Sequence, residues 1–393
     1  MTATLTGEPA ERAAPTRVAV VVPRRRTHLR YVDVVRVLTV ALVVGVHVIA
    51  LTPLAVTLSG GAVLTVLHVS REVFFLLTAF VLFVGYGRRE SVRWPVFWRR
   101  RYLFVVVPYV VWTVVYFLVD PALPSTVGSA LRVIGYDLAT GAARYHLYFL
   151  LISMQIYLVF PLLRGLVRVT YRHHRTLLTG CAVYQLAVYA LAQAGWWTRL
   201  GNELLPSYLG FVIAGCVAGW HREALVEWTR RHTPAVFGGV AAAIALGVGV
   251  FLTQVWVGGM PPEQASNVFQ PVIVVESVAV GWAFLAIGLR WEDRGAPAER
   301  VIRAGGDVSF GVYLMHPLLL QGVLRVATTT GLIAMIDRLP AGLGVTVQLL
   351  ALVPLLYAAC ALIAVAARRT PLSLPATGRS RQKSPARLKT GVT

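Results

Sequence analysis

Of the 393 residues 57% are hydrophobic and 14% charged, with a positive mean hydropathy and a net charge of +20. So much apolar surface exceeds what one soluble core buries, and the chain reads as an integral membrane protein. Of the 37 Lys and Arg, 31 lie in the two ends and in every second connection between apolar stretches, five lie in the alternate connections, and Arg71 lies within a stretch. This positive-inside pattern predicts an even number of spans with both ends cytoplasmic, and it accounts for the basicity without a nucleic-acid partner.

Residues 1–30 are polar and basic and are expected to form a disordered cytoplasmic tail. The short apolar run Val18 to Val22 stops at Pro23 and three arginines, which is no signal-peptide core. An all-α membrane domain of ten spans follows over 31–367, with spans near 32–52, 66–86, 103–119, 146–163, 177–195, 205–220, 235–255, 268–289, 308–327 and 341–366. Residues 368–393 are read as a second disordered basic tail. The longest connection, Asp120 to Tyr145, is too short for a soluble domain with its own core, so any chemistry belongs to the bundle. Cys181, Cys216 and Cys360 all fall inside spans with no metal-ligand spacing, and neither a disulfide framework nor a metal site is expected.

The first span carries Arg36 and His47. Eleven helical residues turn through three circles and about 20°, so both side chains share one face about 16 Å apart along the axis. Arg36 at the cytoplasmic edge also suits charge anchoring, and His47 lies past the midplane. The second span opens with His68, Arg71 and Glu72, near the depth of His47; Arg71 and Glu72 read either as a structural ion pair or as groups steadying an imidazole and a developing charge. Arg99, Arg100 and Arg101 precede the third span and suit either a phosphorylated ligand or anionic lipid head groups. Glu276 in the eighth span and His316 in the ninth add two more ionisable groups. Together these groups suggest a polar cavity between helices.

In register along the chain these residues resemble the acyltransferase-3 family of integral membrane acyltransferases. The Arg36 to His47 spacing follows Tyr31, Val32 and Asp33; Phe74 and Phe75 with Thr78, Ala79 and Phe80 match a second-span pattern that usually reads Ser-Gly where this chain has Thr78 and Ala79. The arginine cluster with Pro108 and Tyr109, the stretch His146 to Leu150, and the stretch Ser309 to Pro317 with Tyr313 complete the likeness over roughly 30–365. The arginines at 99–101 are contiguous where many members space them apart. No extra esterase-like domain has room here.

The resemblance implies a plasma-membrane enzyme that moves an acyl group, commonly acetyl, from cytoplasmic acyl-CoA to a hydroxyl of a carbohydrate, glycolipid or exported metabolite. It implies acyl-CoA as donor substrate, no metal, and partners that include membrane lipid. On that basis Arg36, Arg99, Arg100 and Arg101 are expected to bind the donor, and His47 to act as general base or acyl carrier. Arg71 is expected to face the oxyanion, Glu72 or Glu276 to orient the imidazole, and His68, Thr78, Tyr313 and His316 to line the cavity. The rival reading is a transporter or flippase of a polysaccharide or lipid-linked sugar, which ten spans with a polar interior suit equally.

Overall fold

A computed structural model describes residues 29–196, 203–266 and 271–382. The disorder expected of residues 1–28 and 383–393 lies outside the described residues. Among the described residues the chain is helical throughout, because a segment inside hydrocarbon must satisfy its backbone groups internally.

The helices run in order: α1 Arg30–Ala50, α2 Leu58–Leu67, α3 Ser70–Tyr86, α4 Trp94–Leu118, α5 Val127–Thr140, α6 Tyr148–Val169, α7 His174–Gln193, α8 Leu209–Trp220, α9 Arg222–Arg231 and α10 Thr233–Trp256. They continue with α11 Pro262–Ala265, α12 Val272–Asp293, α13 Glu299–Thr329, α14 Leu332–Asp337, α15 Ala341–Val347, α16 Val353–Ala367 and α17 Ser373–Thr377. Nine described helical stretches are long and apolar enough to cross a membrane. Leu205–Trp220 and the charged helix α9, which meet at a bend of 86°, make a tenth only when the pair is counted as one broken span. The protein is a multi-pass membrane helix bundle.

Several boundaries differ from the sequence reading, and the third and ninth spans start at Trp94 and Glu299 instead of near 103 and 308. The second span begins at Leu58, not near 66, since α2 and α3 are joined through His68 and Val69 in helical geometry. His68, Arg71 and Glu72 therefore sit well inside a 29-residue stretch and not at its entrance. The second tail also starts late: residues 368–382 fold back on the bundle instead of extending away. Trp112 of α4 donates its indole N–H to the Ala376 carbonyl at 3.3 Å, and the Gln382 amide donates to the Arg368 carbonyl at 2.9 Å.

Glycines set the closest approach, between α3 and α8. A Cβ at Gly215 would lie 2.2 Å from the Leu76 carbonyl and 3.0 Å from the Ala79 side chain, and one at Gly219 would lie 2.9 Å from Phe83. The small residue that the usual Ser-Gly supplies on the second span is thus supplied here by the facing helix, which lets Ala79 stand in its place.

The connection from Asp120 to Tyr145 is not bare loop. It holds α5, capped by Thr126 and Ser129 in a reciprocal capping box and docked by the Tyr109 hydroxyl on the carbonyls of Asp137 and Leu138, at 3.1 and 2.9 Å. Gly141 ends α5 with φ +76°, and a Cβ there would lie 2.5 Å from Tyr148 Cα. That turn aims Tyr145 and His146 into the bundle. Gly141→Ala combines left-handed strain with a backbone clash, and we expect it to destabilise the fold by about 2 kcal/mol or more. A thermal unfolding midpoint in detergent equal to that of the parent protein would overturn this reading of the turn.

Candidate active site

At the end of the bundle that carries both described termini, a cavity of about 500 Å³ opens between α1, α3, α4, α6 and α13. Arg36, Arg100 and Arg101 line it together with Thr78 and Tyr313. Arg99 does not, because successive residues of α4 turn by about 100° and carry it off the side that Arg100 and Arg101 share. Arg36 pairs with the buried carboxylate of Asp33 one helical turn away at 3.5 Å. Arg101 lies over the rings of Tyr86, Phe97 and Tyr157 at 5.6, 5.9 and 5.8 Å, which holds its charge at the wall by cation–π attraction.

The inner end of the cavity is the aromatic layer of Phe74 and Tyr313, whose rings stack at 6.0 Å. Directly beyond Tyr313 lie three imidazoles. The His47 ring stacks on that of His316 at 5.3 Å, and His146 meets His316 edge-on at 5.4 Å. Tyr145 packs on His47 at 4.2 Å, and Tyr313 itself lies 5.2 Å from the His146 ring. The Tyr313 hydroxyl donates to the His146 carbonyl, which ties the connection carrying Tyr145 and His146 to α13.

The chain chemistry of α13 orients His316. Pro317 has no N–H, so the Tyr313 carbonyl four residues earlier loses its helical partner. His316 Nδ1 lies 2.8 Å from that oxygen. A carbonyl only accepts, so Nδ1 carries the proton and Nε2 presents a lone pair. Nε2 is buried and has no hydrogen-bond partner among the described residues; neither do the two ring nitrogens of His146. His68 is held the same way, with Nδ1 donating to the Ser266 carbonyl at 2.7 Å, and it lies within electrostatic range of both His47 and Arg71.

The acidic residues stand elsewhere. The buried Glu72 carboxylate accepts from the Tyr189 hydroxyl at 3.0 Å and faces Arg71 at 3.5 Å. Tyr148 and Tyr208 also lie in the electrostatic surroundings of Arg71. Glu276 packs into α10 where Gly247 leaves space; a Cβ there would lie 2.0 Å from its carboxylate. Glu72 thus meets Tyr189 and Arg71, Glu276 packs against α10 with neither oxygen hydrogen-bonded among the described residues, and the ring neighbours of His47 are Tyr145 and His316.

Two residues of this cluster, Tyr145 and His146, are absent from the sequence-derived candidates. Both precede α6, which begins at Tyr148, although residue 146 opens one of the expected spans and one of the motif stretches. Among the described residues no group of three or more His, Cys, Asp or Glu is arranged to hold a metal ion.

The acyltransferase-3 family model, described as an acyltransferase domain, matches residues 29–367. The chain belongs to this family, which makes it a membrane acyltransferase. No curated protein and no solved structure matches it.

Pro317→Ala returns an N–H to the Tyr313 carbonyl and frees His316 Nδ1 from it. We expect a mixed tautomer by ¹⁵N-histidine NMR and about a tenfold fall in acyl transfer, the worth of one oriented hydrogen bond. An unchanged His316 spectrum would show that something other than this carbonyl fixes the ring.

Proposed function

We propose that the protein moves an acyl group, in the simplest case acetyl, from acyl-CoA to a hydroxyl of a carbohydrate, glycolipid or exported metabolite at the plasma membrane. The observation that carries the reading is the guanidinium-lined cavity that ends on Tyr313, with the imidazoles of His47, His146 and His316 immediately behind it. A phosphorylated, thioester-bearing donor matches that order of groups.

The phosphates of the donor meet Arg36, Arg100 and Arg101 from the cytoplasmic side, where charge-assisted and bidentate contacts are strongest. Arg99, exposed beside them, serves the membrane surface and not the ligand. The pantetheine arm then follows the face of α1 from Arg36 toward His47, a distance of about 16 Å, and side-chain motion of Phe74 and Tyr313 admits its thioester. Neutral His47 takes the proton of the acceptor hydroxyl as its oxygen attacks the thioester carbonyl. Arg71, within range of His68, supplies positive charge toward the oxyanion as it forms. The carbon–sulfur bond breaks, and the departing thiolate takes the proton back from the imidazolium. The acyl group is then an ester on the acceptor, and His47 is neutral again.

In reconstituted vesicles with acetyl-CoA, His47→Ala is expected to abolish transfer while insertion and the unfolding midpoint stay at the parent level. Near-normal turnover in that variant would refute the base assignment. The pair Arg100→Glu and Arg101→Glu is expected to raise the KM for the donor by at least tenfold, in keeping with the loss of two charged contacts. Mass spectrometry of cell-envelope glycans and secreted metabolites, with and without the protein, identifies the acceptor; gradient-driven flux with no acylated product would instead favour a transporter.

A further inference from the structure

The cavity has a wall that the family match does not include. The match ends at residue 367, yet the segment from Ser373 to Gln382 returns to the bundle and brings Gly378, Arg379 and Ser380 into the lining. Three hydrogen bonds tie it to α4 and to the residues that follow α16, and one closes it on itself. Trp112 donates to the Ala376 carbonyl, Ser373 Oγ donates to the Arg379 carbonyl at 2.8 Å, Arg381 Nε donates to the Arg369 carbonyl at 3.0 Å, and the Gln382 amide donates to the Arg368 carbonyl.

The seat is built for a glycine. Gly378 has φ +62°, and a Cβ there would lie 2.3 Å from the Phe310 ring and 2.8 Å from the Phe104 carbonyl. Phe104 is the residue whose carbonyl Pro108 leaves without its helical N–H partner, so the segment docks beside that oxygen of α4. The turn at Gly378 then delivers Arg379 beside Arg36, close enough for the two guanidiniums to feel each other's charge. Arg379 rests on Asp307 at 3.6 Å, with both side chains about two-fifths exposed. A pair so solvated is weak, and a phosphate can displace the carboxylate.

We propose that the segment 373–382 is a built part of the donor site, with Arg379 as a fourth guanidinium on the phosphates of acyl-CoA alongside Arg36, Arg100 and Arg101. This rests on the donor reading above. Asp307 holds Arg379 in place while the site is empty and gives it up when the ligand arrives. The segment thereby couples donor binding to a part of the chain beyond the matched family domain.

Coenzyme A binding to the full-length protein in nanodiscs, measured by titration calorimetry, tests this without relying on turnover. Arg379→Ala is expected to weaken coenzyme A about tenfold and to raise the donor KM to match, with kcat within twofold; Arg379→Lys should fall between. Gly378→Val, which lifts the segment off Phe104, should show the same loss and add nothing to Arg379→Ala. Arg231→Ala removes an equal charge from the same end of the bundle and should leave affinity unchanged; an equal loss there would reduce the effect to bulk charge and overturn the proposal. Unaltered affinity in Arg379→Ala, with binding weakened in Arg100→Glu, would sink the segment's role and leave the donor reading standing. Absence of coenzyme A binding in the parent protein would sink both. An Arg379→Ala effect confined to discs containing phosphatidylglycerol, and missing in phosphatidylcholine alone, would assign the site to a lipid head group and overturn the proposal.

Discussion

A carbonyl that loses its helical N–H inside a membrane has no water to turn to, and this bundle is organised around three such carbonyls. Pro108, Pro161 and Pro317 sit within α4, α6 and α13, and each removes the partner of the oxygen four residues before it. The residues so exposed are Phe104, Tyr157 and Tyr313, and all three line the cavity. The Tyr157 oxygen is taken by the Trp98 indole N–H at 2.8 Å and the Tyr313 oxygen by His316, while Gly378 is packed against the Phe104 oxygen. The cavity is lined by the residues that carry these three oxygens, and of the groups that meet the oxygens Gly378 lines it too. A fourth proline, Pro354, follows a π-helical turn over Gln348–Leu352 that absorbs the same kind of disruption.

The charges obey a related economy. Guanidiniums crowd one end of the cavity, where Asp33 and Asp307 offset part of their repulsion and water reaches the opening. The imidazoles occupy the other end behind an aromatic layer, where a neutral ring is far less costly than a fixed charge. Hydrogen bonds to backbone carbonyls set the proton on Nδ1 of both His68 and His316, so Nε2 of each presents a lone pair. The Arg71 charge is matched by Glu72, whose carboxylate also accepts from Tyr189. Tyr313 joins the two ends: it closes the cavity with its ring, ties down His146 with its hydroxyl and lends His316 its carbonyl.

Periodicity and charge bias were enough to read the membrane class, the positions of most spans, and the shared face of Arg36 and His47, since these depend only on local helix geometry. His316 was legible as a buried ionisable group, but its tautomer was not, although Pro317 stands next to it in the sequence. The hydrogen-bond partner of Glu72 was not legible, because spacing along α3 says nothing about Tyr189 arriving from α7. The contiguous arginines part only in the structure, where Arg100 and Arg101 line the cavity and Arg99 does not.

What the amino-acid order settled by itself was a helical membrane domain with ionisable groups at depth, because hydrocarbon punishes any other backbone and makes each buried charge conspicuous. Only the packing of the helices decided that Tyr145 and His146 join the imidazole cluster from a connection, that Glu72 meets Tyr189 of α7, and that residues after 367 line the cavity. Those outcomes depend on which surfaces meet across hundreds of positions in the chain, and neither hydropathy nor helical period carries that information.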